Sequence, residues 1–554
     1  MNIASLHASD PAHFAGGGRA ARTRRTYSTR FALAALTAGS LLLAGCSGSA
    51  GAEGDDGQPQ KGGVLKVAYD TDPQCVDGQQ VGYNVTLNIT RQITDSLTDQ
   101  DPKTGEIKPW LAQSWDVSDD AKTFTFHLRD GVKFHDGTDF TSASVKENFE
   151  AIRDLGAKAS IGQTYIDGLK SIDTPDKQTV TFTFDQPNAQ FLQATSTMNL
   201  GFYSSKTLEQ TPEQRCTGDL VGTGAFTLEK VEHDKAITLK RNDDYDWASS
   251  LAAHEGPAHL DGVEFSIVPE ASVRNGSLLS GQVDVDTTVQ SQDEQTLEAQ
   301  GLDIVSRANP GVVYNLVPKT TGQIAEDEAV RKALNKGIDR QQLATVVSDH
   351  QAPATSVLAK STPQYEDLSD LLAYDPDGAK KLLDDAGWKP GADGIRVKDG
   401  TKLTTTLTYW QDAPFLELVQ QQLRTIGFDL QLEKKTIAEV TALQAEGKED
   451  FTFGNLTRSD ADILRNYFGA NEQNSNARKP GEIDKVLART TETLDEDARK
   501  ADFTQATKLI LDEGYSIPLV ELTGIVGTGK NVHDFAFEAS SRYQLHDTWL
   551  GGEQ

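Results

Sequence analysis

At 554 residues the chain exceeds what one hydrophobic core organises, so it implies two lobes, or one lobe interrupted by another, large enough to enclose a ligand. Hydrophobic residues at 37% and charged residues at 24% are an ordinary globular balance, which confines disorder to local stretches. A formal net charge of −29 argues against nucleic acid as a partner, and against an anionic membrane bound through a basic face.

Residues 1–45 read as a leader outside the fold. Arg19, Arg22, Arg24, Arg25 and Arg30 accompany an apolar run from Phe31 to Ala44, which closes as Leu43-Ala44-Gly45-Cys46. A positive n-region, a short apolar h-region and small residues before the break are the parts of a secretory signal. The run is too short to span a bilayer. The cysteine directly after Leu-Ala-Gly resembles a bacterial lipobox, which implies a diacylglycerol on Cys46 and cleavage just before it; an ordinary signal peptide with a chance cysteine is the alternative. Lipid chains hold a protein at a membrane without a spanning helix. Thr23-Arg24-Arg25-Thr26-Tyr27 also resembles a twin-arginine export signal. Residues 46–61, rich in Gly, Ser and acidic residues, read as a flexible tether. Beyond it, Cys75 and Cys216 are expected to pair in an oxidising compartment, with two separate buried thiols as the alternative. Neither belongs to a Cys-x-x-Cys spacing that would hold a metal.

The folded body opens with Gly63 to Tyr69, whose apolar alternation suits a first strand. Thr123 to Leu128 and Val180 to Phe184 alternate apolar and polar, as half-buried strands do. Val145, Phe149 and Ile152 recur at helical spacing behind Thr141, a suitable N-cap. Asp375-Pro376-Asp377 followed by Ala379, Leu382, Leu383 and Ala386, then Gly387, delimits another helix with Asp at the cap and Pro at its first position. A third spans about 414–426, and Phe428 to Leu432 then alternates as a strand. Helix following strand without a fixed repeat is an α/β pattern.

The stretch Trp110-Leu111-Ala112-Gln113-Ser114-Trp115, Ser118-Asp119-Asp120, Thr123 to Arg129, Gly131-Val132-Lys133-Phe134-His135-Asp136-Gly137 and Phe140 resembles the signature of the family 5 extracellular solute-binding proteins. Similar segments continue in order through Gly222-Thr223-Gly224, Arg241 to Tyr245, Leu278 to Asp284, Val330 to Asn335, Ile338-Asp339-Arg340, Ala386-Gly387-Trp388 and Gln422 to Phe428. The resemblance implies the binding component of an ABC importer rather than an enzyme. It implies a two-lobed periplasmic-binding-protein fold of type II with an extra inserted subdomain, closing on ligand at a hinge. Lobe I is then expected at 62–90, 206–310 and 526–554, the inserted subdomain at 91–205 and lobe II at 311–525. The implied partners are a short peptide or small molecule, a permease and an ATPase, with the membrane reached through the lipid and the protein itself a monomer at the extracytoplasmic face. No cofactor beyond the lipid on Cys46 is implied.

Peptide-binding members carry a Trp-x-x-Asp-Tyr-x-Asp-Pro-like segment whose first Asp meets the ligand amine. Here Arg458 stands at that position, and it is suited to a carboxylate instead. An alignment shifted by a residue or two brings Asp460 or Asp462 to the amine, and a surface ion pair with an acidic neighbour is the structural alternative for Arg458. Trp410 and Asp412, after the strand expected at 403–409, are candidates to stack on a ligand and receive a cation; core or capping roles are the alternative. Tyr83, Asn84 and Asn315 complete the candidate ligand contacts. Gly524 to Lys530 fits seven positions of a phosphate loop, but Asn531 stands where the hydroxyl residue belongs. A secreted, lipid-anchored hydrolase is the reading from another class; it requires a catalytic constellation, and neither His-Glu-x-x-His nor Gly-x-Ser-x-Gly is present. Within the binding class the ligand alternatives are a short peptide, a nickel or iron chelate, and a sugar-type compound.

Overall fold

The computed structural model describes residues 57–411, 413–447 and 449–552. Its largest sheet has seven strands in the spatial order Asp303–Ala308, Thr523–Thr528, Val285–Asp286, Val64–Tyr69, Gly262–Ile267, Ala236–Arg241 and Phe226–Glu232. The first strand runs parallel to both of its neighbours, with Val67 opposite Phe265 and Val285. Leu65, Val67, Phe265 and Val285 are buried there, which is why the opening alternation settles as a central strand.

A second sheet is antiparallel, ordered Ala112–Val117, Thr123–Leu128, Thr179–Phe184 and Leu169–Asp176. The register sets Phe124 opposite Phe182 and Phe126 opposite Val180. Period-two alternation therefore puts the aromatic side chains on one face, where Phe149 of the helix Ser142–Leu155 meets Phe182 at 4.7 Å and Phe191 meets Phe124 at 5.1 Å. Such pairs add about 0.5–1.5 kcal/mol each beyond area burial. This aromatic cluster is continuous with the core of the seven-stranded sheet.

The second lobe has its own core. Thr404–Tyr409 and Asp429–Lys434 pair in parallel, joined by the helix Phe415–Thr425, while Gly311–Pro318 is flanked by Phe451–Thr457 and Ile517–Val520. Gly311–Pro318 is buried along its whole length. The helix Pro376–Asp385 begins as its sequence expects, with the Gly378 N–H donating to Asp375 Oδ1 at 2.8 Å.

The chain crosses between the lobes twice. It leaves the large sheet after Asp303–Ala308 to enter Gly311–Pro318, and returns from Ile517–Val520 into Thr523–Thr528. The return strand thus begins ahead of residue 526. The two crossings lie side by side, with the Asn309 N–H donating to Leu522 O at 2.7 Å. A pair of short adjacent connections is the geometry of a hinge.

Cys75 and Cys216 are joined by a disulfide across 141 positions. Closing a loop of that length stabilises a fold by up to about 4–5 kcal/mol on chain-entropy grounds. Among the described residues no helix is long and apolar enough to cross a membrane.

Candidate functional site

Where the lobes meet, the turn after strand Phe451–Thr457 is held from the other side by three side chains. Gln100 Nε2 donates to Ser459 O at 3.1 Å, Gln193 Nε2 donates to Ser459 Oγ at 2.8 Å, and Ser540 Oγ lies 3.0 Å from Ser459 Oγ. Ser459 is itself buried. A single serine therefore ties the second lobe to the inserted region, through Gln100 and Gln193, and to the C-terminal segment, through Ser540.

Beside this junction is a cavity of about 30 Å³, lined by Tyr165, Asn199, Arg458, Glu538, Ser540 and Arg542 among others. Arg458 comes from the second lobe, and its guanidinium carbon lies 4.6 Å over the Tyr165 ring. Arg542 comes from the C-terminal segment, is 4% exposed, and donates from Nη1 to Ser540 O at 2.6 Å. The Nε atoms of both arginines are buried without a hydrogen-bond partner. Burial pushes the Arg542 guanidinium below its ordinary value, with Glu538 opposing that and Arg458 adding to it. Burial likewise raises the Tyr165 hydroxyl, and Arg458 pulls it back. Two guanidiniums lining one chamber from opposite lobes, Arg542 buried and Arg458 half-buried, with Glu538 the carboxylate that lines it, favour an anionic group between them.

A second cavity of about 170 Å³ adjoins the hinge, lined by Tyr69, Asp70, Asn84, Asn88, Thr288 and Tyr543 among others. The hairpin turn 538–542, between the strands Ala536–Phe537 and Tyr543–Gln544, lets one segment serve both chambers. Glu538, Ser540 and Arg542 line the first, whereas Phe537, Ser541 and Tyr543 line the second. Asp70 and Thr287 follow the carboxyl ends of the parallel strands Val64–Tyr69 and Val285–Asp286, where open α/β sheets place their ligand crevices.

The candidates named from the sequence scatter. Arg458 and Asn84 line the two chambers. Arg458 makes no ion pair among the described residues, and the acidic neighbours are engaged elsewhere: Asp462 binds Arg465 through two hydrogen bonds at 3.0 and 2.8 Å. Asp460 Oδ1 accepts from the Asp462 N–H at 2.6 Å and lies 3.7 Å from Arg499. Asp460 reaches only a small void of about 10 Å³ beside Arg458. Asn315 is fully buried; its amide donates to Val313 O and Gly454 O, and its carbonyl accepts from Ser516, so it is a structural amide inside the sheet. Tyr83 and Trp410 are 58% and 43% exposed and line neither chamber. Asp412 and Cys46 lie outside the described residues.

The phosphate-loop lookalike is mostly a strand, Thr523–Thr528, with Gly524 against Phe537 and Gly527 against Leu278 and Val289. Its glycines serve side-chain packing. Sequence reasoning missed Glu538, Ser540 and Arg542. The available signal was a charged pair interrupting the alternation Phe535-Ala536-Phe537 and Tyr543 near the C-terminus.

The family model described as "Bacterial extracellular solute-binding proteins, family 5 Middle" matches residues 106–476. The chain is 28% identical over 441 residues to the oligopeptide-binding protein AppA of Bacillus subtilis, covering 76% of this chain and 78% of that protein. It is 26% identical over 474 residues to the di/tripeptide-binding protein 3 of Pseudomonas aeruginosa, covering 78% and 85%. Among solved structures, NikA from Brucella suis in complex with Fe(III)-EDTA superposes with a TM-score of 0.76 at 22% identity, covering 88% of this chain and 100% of that one.

Proposed function

The chain belongs to the family 5 bacterial extracellular solute-binding proteins, the ligand-capturing components of ABC importers, and from that premise we propose that its own ligand is a short peptide. It is a carrier, and its chemistry is reversible capture followed by delivery to a permease. The observation that carries the ligand reading is the pair Arg458 and Arg542, which face one chamber from opposite lobes with partnerless Nε atoms. A terminal carboxylate placed between them would satisfy both and draw the lobes together. Asp70, at the carboxyl end of the first strand, is the group offered to the amino end. Chambers of about 30 and 170 Å³ are below the ~300 Å³ of a drug-sized pocket, so the lobes part to admit a ligand and close only on a short one.

The bodies that move are lobe I, at 62–90, 206–310 and, with the return strand included, 523–554 with 91–205 inserted, and lobe II between them from 311. A lipid on Cys46 would keep them at the outer face of the membrane, beside the permease and its ATPase.

Thermal unfolding of the protein, refolded to strip carried ligand, tests the reading against free, N-acetylated and C-amidated di- and tripeptides, nickel chelates and oligosaccharides. Ligand at 100 times Kd adds about 2.7 kcal/mol to stability, a measurable shift. Free peptides are expected to raise Tm, C-amidation to remove most of the effect, and Arg458→Gln to weaken binding about 10-fold or more, as loss of a hydrogen-bonded charge does. The two guanidiniums favour one other reading, a carboxylate-rich metal chelate. A shift with chelates and none with peptides establishes that reading in place of the first.

A further inference from the structure

We propose that His254, His546 and Asp547 form a binding site for a divalent transition-metal ion of the zinc type, separate from the ligand cleft. None of the three lines either chamber of the cleft. His254 sits in the connection between strands Ala236–Arg241 and Gly262–Ile267, and the other two sit just before the terminal strand Trp549–Leu550.

His254 Nε2 lies 3.1 Å from Pro257 O, and His546 Nε2 lies 2.9 Å from Gly256 O. A carbonyl oxygen only accepts, so in each ring Nε2 carries the proton and the neutral imidazole presents its lone pair at Nδ1. Both Nδ1 atoms then face the same carboxylate oxygen, Asp547 Oδ1, at 2.9 Å each. The other oxygen, Oδ2, accepts from the Ala253 N–H at 2.9 Å, which fixes the carboxylate and leaves Oδ1 for the histidines. Three electron-pair donors thus converge within 4.8 Å of one another.

Either a second proton on each imidazole or one shared cation satisfies that convergence. The rings stack face to face, His254 on His546 at 4.2 Å and His254 on His259 at 4.0 Å. Two imidazoliums so stacked repel each other, and the single carboxylate offsets one charge. A metal ion replaces both protons at once. Backbone carbonyls receiving the remote N–H of each histidine are the supporting shell that metal-ligating histidines characteristically have. The donor set, two imidazoles and a carboxylate without thiolate, suits Zn²⁺, with a water completing the coordination. Bonds of ~2.0–2.1 Å to a tetrahedral ion require the two nitrogens to move apart from Asp547 Oδ1 by a few tenths of an ångström and the stacked rings to turn until both Nδ1 lone pairs point at the ion. The bound ion would link positions 293 apart in sequence, fastening to the first lobe the segment that also carries Glu538 and Arg542.

Calorimetric titration of the chelator-treated protein with Zn²⁺ tests the site. One ion per chain is expected, with a raised Tm and with affinity falling as pH is lowered, because protons compete for the same nitrogens. His254→Gln and His546→Gln are each expected to weaken binding at least 10-fold, while Arg458→Gln leaves it unchanged. Absence of stoichiometric binding, or affinity in both histidine variants equal to the parent's, overturns the proposal. If a variant misfolds, X-ray absorption on the Zn²⁺-loaded parent protein decides: scattering from two imidazoles supports the site, and its absence sinks it.

Discussion

Asp95 shows how much one residue depends on its surroundings. It is 1% exposed, accepts from Trp247 Nε1 at 2.9 Å and from the Tyr245 hydroxyl at 3.2 Å, and lies near Arg91. Burial nonetheless dominates and pushes its carboxyl up to about 6. The folded state therefore holds this proton more tightly than the unfolded chain, whose aspartates titrate near 3.9. Its contribution to stability is fully present below pH ~4 and is lost as pH rises to about 6, a fall on the order of 3 kcal/mol. Other carboxylates titrate in the same window, so the measurement is a difference. Stability of Asp95→Asn relative to the parent, from urea unfolding at pH 4 to 7, should rise across that range; a flat or falling difference contradicts the assignment. Nothing in the sequence around Thr94-Asp95-Ser96 signals this, because the shift arises from burial that only folding brings about, with hydrogen bonds from Thr223, Trp247 and Tyr245 opposing it.

At the scale of elements, glycines separate packing from conformation. The segment Gly222-Thr223-Gly224 crosses the end of the helix Asn84–Ile93 so closely that a Cβ on Gly224 would lie 2.4 Å from Gln92 O, and one on Gly222 1.9 Å from Ile93 O. Backbone cannot step aside as a flexible side chain does. Gly224→Ala is expected to cost at least about 1–3 kcal/mol, as overpacking does. Gly276 offers the contrast: it is exposed in the helix Ala271–Leu279, and a Cβ there meets nothing within 4 Å. Gly276→Ala should stabilise by about 0.5–1 kcal/mol through helix propensity. Thermal unfolding of the pair checks both signs, and a neutral Gly224→Ala would refute the close approach. Elements with strong periodicity were legible beforehand. The strand Thr123–Leu128 and the helices Ser142–Leu155, Pro376–Asp385 and Phe415–Thr425 lie where alternation, caps and breakers put them. These signals are local, and each element obeys them.

At the scale of the whole molecule, Ser459 is a main contact between the lobes, alongside the Ala189 N–H donating to Thr491 O at 3.0 Å and Arg458 over the Tyr165 ring. Ser459→Ala removes its hydroxyl contacts with Gln193 and Ser540 while leaving its carbonyl for Gln100. At about 1 kcal/mol net per hydrogen bond, the closed arrangement should weaken by one to two kcal/mol. The ligand-free variant is expected to show a larger radius of gyration in solution scattering and a ligand affinity roughly 5- to 30-fold lower. Unchanged scattering and affinity would show that the latch does not govern closure. The two crossings at 308–311 and 520–523 give this motion a short, paired axis.

By itself the sequence determined the acidic character of the chain, the α/β alternation and the family, because these are written in local composition, period and ordered motifs. It also singled out Arg458, whose charge departs from the pattern around it. Tertiary structure alone decided which residues share the cleft. Arg542 and Glu538 stand roughly eighty positions beyond Arg458, and only the second crossing brings the C-terminal segment back against the first lobe to face it. It also decided that Asn315 is a core amide and that His254 meets His546. A chain folded into discontinuous lobes makes its sites from contacts remote in sequence, and no window along the chain contains them.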